Sequence, residues 1–244
     1  ENEAGAHYEE ALRLKPDLAE AYNNFGNLMA AKKDIEKAVE YYTEAIRIRP
    51  TSAEFQNNLG TALADGGKTD DAIIHYMEAL RLNAHFVEAR NNLANAFMKK
   101  GEREAARFQY EEALRLKPYY ETAHNNLANL LMDEGKNEEA IGHYQAALKL
   151  KPDYAEAHNN LANALSNQGK MEEAITHYKE ALRLKASYAE AHNNLANALL
   201  KQGKVDAAID HYHKALKINP DSTQFQNNFA VALLQKGKKE EPVL

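Results

Sequence analysis

The sequence has no cysteine and no tryptophan, and only 6 prolines in 244 residues. Without thiols there are no disulfides, no cysteine-ligated zinc and no thiol nucleophile, and the chain suits a reducing compartment, with a cytoplasmic location the expectation. β-Branched residues are sparse, while Ala, Leu, Asn, Glu and Lys abound, a balance that favours helix because straight side chains lose little rotamer freedom there. No apolar run reaches the roughly 18 residues needed to span a bilayer, and the amino terminus lacks a basic segment followed by an apolar core. A basic excess is missing too. The formal charge of -6 lacks what phosphate neutralisation demands, so neither nucleic acid nor anionic lipid is the expected partner. The first residue is Glu1 rather than Met, which reads as a piece cut from something longer.

What is present is a repeat. The pair Asn23-Asn24 recurs at 57-58, 91-92, 125-126, 159-160, 193-194 and 227-228, a step of 34 without insertion. Tyr8, Tyr42, Tyr76, Tyr110, Tyr144, Tyr178 and Tyr212 keep that step, as do Ala11, Ala45, Ala79, Ala113, Ala147, Ala181 and Ala215. Within one unit Tyr22, Phe25, Gly26 and Met29 lie at i, i+3, i+4 and i+7, one face of a helix, and Ala38, Tyr42 and Ala45 mark a second face. Gly67, Gly101, Gly135, Gly169, Gly203 and Gly237 stand where a left-handed residue ends the first helix, with Lys33 the departure. Pro16, Pro50, Pro118, Pro152 and Pro220 close the second helix; Ala84 and Ala186 replace proline, which predicts looser joints there. A helix of about 14 residues is marginal alone, so each hairpin must bury its stripe on the next. The expected fold is an all-α solenoid over residues 1–244: a half repeat at 1–18, six full repeats over 19–222, and a half repeat with a tail at 223–244. That makes fourteen helices, with pairs near 19–32 and 35–48 repeating every 34 residues and the last near 223–236.

On a helical wheel the buried stripe of the first helix centres on Met29, and Glu20, Asn24, Asn27 and Ala31 gather opposite. The middle column of this second stripe is Asn24, Asn58, Asn92, Asn126, Asn160, Asn194 and Asn228; beside it run Asn27, Asn95, Asn129, Asn163 and Asn197, interrupted by Thr61 and Val231. Asn costs about half a kcal/mol against Ala in a helix interior, so something repays it. A primary amide can hold both the N–H and the C=O of a passing peptide group, whatever its side chain. With helix pairs about 10 Å apart and an extended chain advancing about 3.3 Å per residue, one Asn per repeat meets a ligand about every third residue. The neighbouring Asn23 column, nearer the buried flank, reads as structural. Asn92, Asn126 and Asn160 are expected to stand open, so that their replacement by Ala leaves stability intact.

The unit Tyr22-x2-Phe25-Gly26-x2-Met29, Ala38-x3-Tyr42, Pro50 resembles the tetratricopeptide pattern, and the resemblance covers essentially the whole chain. Later units depart from it with Ala94, Ala128, Ala162, Ala196 and Ala230 in the Gly26 column, and Arg90, His124, His158 or His192 in the Tyr22 column. The resemblance implies a right-handed superhelix whose first helices line a concave groove. The asparagine columns resemble the superhelix of the O-linked N-acetylglucosamine transferases, where the matching positions, here Asn24 to Asn228, hold substrate backbone.

The groove stripe also carries Glu20, Glu54, Glu88, Glu156 and Glu190, with Asp65, Lys99, Asp133 and Lys201 farther along. The acidic excess predicts a neutral or basic segment as partner. Tetratricopeptide modules that clasp acidic carboxyl termini use Lys and Arg there, which argues against that class. The histidines also fall in columns, but equivalent residues of neighbouring repeats stand too far apart to converge on a metal, and polar packing beside the tyrosines is their expected role. No phosphate loop, nucleophile elbow or metalloprotease pattern occurs, so neither a catalytic site nor a cofactor is expected. The expected function is a non-catalytic scaffold clasping an extended protein segment; the alternative is the substrate-recruiting arm of a larger enzyme such as a glycosyltransferase. At the ends, Tyr8, Ala11 and Leu12 would lack the helix they pack on, Pro242 would block a final second helix, and Phe225, Phe229 and Leu233 would be left uncovered. Such complementary faces predict head-to-tail self-association.

Overall fold

The computed structural model describes residues 14, 15 and 17–240, with side chains to 237. Among these residues there are thirteen helices and no strand. They are α1 (Ala19–Ala31), α2 (Ile35–Ile48), α3 (Ala53–Asp65), α4 (Thr69–Leu82), α5 (Val87–Lys100), α6 (Arg103–Leu116) and α7 (Glu121–Asp133). Then come α8 (Asn137–Leu150), α9 (Ala155–Asn167), α10 (Met171–Leu184), α11 (Ala189–Lys201), α12 (Val205–Ile218) and α13 (Thr223–Glu240). The expected helix near residues 1–15 and the residues Tyr8, Ala11, Leu12 and Pro242 lie outside the described part. The chain divides into two compact units, residues 1–119 and 120–244. Within each, every helix packs on the next, and odd helices also touch the next odd helix. No described helix is long and apolar enough to cross a membrane.

Each hairpin is built on one ridge of the second helix. In α10 the ridge is Ala174, Tyr178 and Ala181, with both alanines at 0% exposure and Tyr178 at 3%. Alanine at i and i+7 lets the neighbouring helices close onto the tyrosine ring between them, and the same triplet is buried in α2, α4, α6, α8 and α12. First helices contribute the opposing layer, as Ala157, Leu161 and Leu165 do in α9.

The turn from first to second helix is the same in every hairpin. Gly135 at φ 75° donates to the Met132 carbonyl while Lys136 donates to that of Leu131, which satisfies the last carbonyls of α7. Lys33 holds the same left-handed conformation at φ 62°, the one non-glycine residue among those described to do so. Two expectations need correcting. Gly237 ends nothing, because α13 runs through it to Glu240; glycine weakens a helix by about 1 kcal/mol but turns it only where a second helix packs back. The joints at Ala84 and Ala186 are not looser: Asn83 and Lys185 close them with the same 2.9 Å bond to Ala79 and Ala181 that Lys117 makes to Ala113. Proline is dispensable there because the alanine carbonyl, not the ring, holds the cap. Near the carboxyl-terminal end, Phe225 is buried and Phe229 half-buried, with only Leu233 of that set exposed.

Candidate functional site

The first-helix face carries both asparagine columns, and the structure gives them different duties. In the Asn23 column, Asn23, Asn57, Asn91, Asn125, Asn159 and Asn193 are buried. Their carbonyls accept from the next repeat: Asn58 Nδ2 donates to Asn23 Oδ1 at 2.9 Å, Asn92 to Asn57 at 3.0 Å, Asn194 to Asn159 at 3.2 Å and Asn228 to Asn193 at 2.9 Å. In the second unit the buried amides also donate to their own neighbours, Asn159 to Asn160 and Asn193 to Asn194, both at 3.3 Å. The result is a head-to-tail chain of amides running from Asn228 through Asn193, Asn194, Asn159, Asn160 and Asn125 to Asn126. Each link polarises the next.

Asn58, Asn92, Asn160, Asn194 and Asn228 are therefore staples between repeats, and they and Asn126 are half-buried instead of open; Asn24 alone of this column is exposed. Asn160 has both N–H groups engaged, on Asn125 Oδ1 at 3.4 Å and Asn129 Oδ1 at 3.1 Å. Replacing these residues by Ala must then cost stability, contrary to the helix-propensity argument, because buried carbonyls lose their donors.

The Asn27 column faces the other way. Tyr42 donates to Asn27 Oδ1 at 2.7 Å, Tyr110 to Asn95 at 2.5 Å, Tyr144 to Asn129 and Tyr178 to Asn163 at 2.6 Å, and Tyr212 to Asn197 at 2.5 Å. Burial pushes the tyrosine hydroxyls up, to about 12 for Tyr42 and Tyr212, so they remain protonated donors. Each tyrosine thus takes the carbonyl oxygen of its asparagine and turns the Nδ2 group toward solvent. Among the described residues, the Nδ2 groups of Asn27, Asn129, Asn163 and Asn197 have no protein partner. In the second unit two adjoining pockets share Asn163. One, about 260 Å³, is lined by Asn129, Asp133, Tyr144 and Asn160; the other, about 340 Å³, by Tyr178, Glu190, Asn194, Asn197 and Lys201. In the first unit a pocket of about 310 Å³ lies among Thr61, Tyr76, Asn92, Asn95 and Lys99.

The acidic column is less acidic than its sequence suggests. Arg49 pairs with Glu20 at 2.6 Å, Lys117 with Glu88 at 3.6 Å and Lys185 with Glu156 at 3.3 Å, each base standing at the carboxyl-terminal cap of a second helix. Counting charges on first helices alone missed these partners, although Arg49, Lys117 and Lys185 stand at one position of the 34-residue repeat, in alternate units. Glu54 and Glu190 differ: the matching caps are Asn83 and Asn219, and among the described residues neither carboxylate has a basic partner.

The Tyr22 column pairs with the seventh residue of each fourteen-residue second helix. Tyr22 faces Tyr41, Gln56 accepts from His75 at 2.7 Å, Arg90 reaches Gln109 at 3.0 Å, and His124, His158 and His192 face His143, His177 and His211 with Nδ1 atoms 2.9, 2.9 and 3.0 Å apart. His158 and His192 also meet the Pro152 and Ala186 carbonyls through Nε2 at 3.1 Å. A carbonyl only accepts, so Nε2 carries the proton, and Nδ1 of His158 and His192 must accept from His177 and His211. Burial holds His143, His177 and His211 below the usual imidazole value, His211 at about 4.

A stack of helical hairpins whose exposed polar face repeats once per unit is a repeat-protein scaffold. Family models described as "TPR repeat" match residues 94–133, 128–169 and 167–203, and models described as "Tetratricopeptide repeat" match 19–52 and 189–222. The chain belongs to the tetratricopeptide repeat family, whose fold is in general a non-catalytic interaction scaffold. Residues 38–113 also match a model described as "Est1 DNA/RNA binding domain". Comparison with curated proteins finds no match. Among solved structures, the Cut9–Hcn1 hetero-tetramer of the APC/C aligns at TM-score 0.87 and 23% identity over 95% of this chain, which spans 46% of that one. YrrB, described as a TPR protein with an unusual peptide-binding site, aligns at 0.60 and 23% over 82% of this chain and 100% of its own. The thermophilic TPR protein TTC0263 of Thermus thermophilus aligns at 0.62 and 25% over 75% of this chain and 100% of its own.

Proposed function

We propose that the first-helix face binds an extended protein segment, neutral to basic in charge, and that the Asn27 column is its principal set of contacts with the Asn24 column alongside. One observation carries this reading: the amide donors of Asn129, Asn163 and Asn197 line adjoining pockets and have no partner within the described chain. A ligand carbonyl placed there gains a hydrogen bond without breaking any of the protein's own. Glu54 and Glu190, which face no base at the neighbouring cap, supply the preference for a basic residue, and a formal charge of -6 disfavours nucleic acid.

Selection from a random dodecapeptide display library tests the proposal, with the N163A/N197A double variant as counter-target and single-stranded DNA as competitor. Enriched peptides of neutral or positive charge should bind the variant about tenfold to a hundredfold more weakly. Peptides that bind both proteins equally, or that DNA displaces at physiological salt, would sink it.

A further inference from the structure

The polarity of the ladder says which part of a peptide it reads. The amides of Asn27, Asn129, Asn163 and Asn197 have their oxygens held from inside by a tyrosine, so what they offer outward is N–H and not C=O. At Asn129 a network fixes the orientation: flipping it would set its Nδ2 against the donor Nδ2 of Asn160, 3.1 Å away, and Asn160 in turn is oriented by Asn159, which donates to its oxygen. A one-sided donor array recognises backbone carbonyls and makes no use of backbone N–H.

Spacing adds an independent constraint. Neighbouring first helices touch, which places equivalent rungs about 8–10 Å apart. A β-strand returns to the same face every two residues, about 6.6 Å, and after three residues it points to the wrong side. A polyproline II helix has three residues per turn and rises about 3.1 Å per residue, so its carbonyls return to one face every 9.3 Å or so. Three residues per repeat, all on one face, is the polyproline II period and not the strand period.

We propose, resting on the binding face proposed above, that Asn129, Asn163 and Asn197 receive a segment in polyproline II conformation through its carbonyl oxygens at every third residue, and that proline is accepted throughout this segment. Backbone N–H groups of such a segment point to solvent or are absent, and the contacts at Asn129, Asn163 and Asn197 need none of them. The substrate class is thus proline-rich or proline-tolerant extended chain, in contrast to a strand added by ladder hydrogen bonding.

Decaproline, which has no internal N–H, and a ten-residue Gly-Ser peptide serve as probes, read by side-chain amide NMR and fluorescence anisotropy on the whole chain. Decaproline should shift the Nδ2 resonances of Asn163 and Asn197 and bind about tenfold tighter than the Gly-Ser peptide. Asn163→Asp and Asn197→Asp keep an acceptor for Tyr178 and Tyr212 but remove the donors, so the double variant should retain its helix content and lose decaproline about tenfold or more. Binding of the Gly-Ser peptide without decaproline would overturn the carbonyl reading and leave the groove standing. Unchanged decaproline affinity in the Asp variant would overturn it as well. If neither peptide moves a resonance on the first helices, the binding face itself falls.

Discussion

In the first unit the paired positions at the base of the hairpins are Tyr22 with Tyr41, Gln56 with His75 and Arg90 with Gln109; in the second they are histidine with histidine three times over. The first unit adds a stacked Phe25–Tyr41 pair with centroids 4.3 Å apart. Its buried Asn23 and Asn57 each accept one described bond, whereas Asn159 and Asn193 both accept and donate. One backbone hairpin thus takes an aromatic, a mixed polar or an imidazole filling at the same place. What the exchange alters is the response to acid and the cost of losing one amide.

The largest difference should appear on removing a buried amide. Asn159 is fully buried and links Asn194 to Asn160, so Asn159→Ala leaves a donor and an acceptor on these half-buried neighbours unmatched and should cost about 2 kcal/mol. Asn57→Ala strands one donor, on half-buried Asn92, and should cost about 1 kcal/mol. Urea unfolding monitored by hydrogen exchange would separate them; equal losses would show that the amide chain in the second unit adds nothing.

Acid comes next. His143, His177, His192 and His211 have folded values below the usual 6.5, so the unfolded chain binds more protons as the pH falls from 6.5 toward about 4, where His211 lies. Their contribution is therefore complete above pH 6.5 and is lost as pH falls toward 4. The first proton fits, because His211 can take it on Nε2 and still donate through Nδ1; a second would set two Nδ1 donors face to face. Lys214 and Lys179 oppose charge on His211 while Asp210 favours it. With the rings partly exposed, about 1 kcal/mol per pair is the expected scale. Amide exchange at pH 7 and pH 5 should show α7–α12 losing more protection than α1–α6, where His75 is the one histidine among the paired positions. The reverse order would refute the assignment.

A third contrast is the tyrosine hydroxyl. Tyr178 donates to Asn163 at 2.6 Å, while Tyr76 meets Thr61 at 3.3 Å. Tyr178→Phe should cost about 1 kcal/mol and free the Asn163 amide to rotate; Tyr76→Phe should be nearly neutral. Indistinguishable melting curves for the two variants would mean the bond contributes nothing net.

The helices, turns and repeat register were legible because each rests on a local period: 3.6 for the faces, 34 for the hairpins, and glycine where φ is positive. The Asn23 column was legible as structural from its angle on the wheel. What was not legible is the direction of an amide. Asn24 and Asn27 share the polar face, and a wheel cannot tell that a tyrosine fifteen residues later takes one oxygen while the preceding repeat takes the other amide's hydrogen. The pairing of Glu20 with Arg49 was missed for a related reason, since it joins a first helix to the cap of the following second helix. The histidine pairs were visible as two columns, but only the hairpin crossing brings them within 3.0 Å.

The smallest effect concerns the one turn that departs from glycine. Lys33 sits at φ 62° where Gly135 and Gly169 sit at 75° and 79°, and it makes the same closing bonds: its N–H to the Ala30 carbonyl at 2.9 Å, and Asp34 to Met29 at 3.0 Å. A side chain in the left-handed region costs about 1 kcal/mol, and Lys33→Gly removes that cost. Glycine also gives the unfolded chain more freedom, which takes back part of the gain. The net stabilisation of the first unit should therefore be about half a kcal/mol, whereas Gly169→Lys should destabilise the second unit by a similar amount, no atom lying within 4 Å of the added Cβ to clash with it. Matched thermal and urea titrations would decide. A destabilising Lys33→Gly would mean that the lysine stem contributes packing at this turn that outweighs its backbone strain.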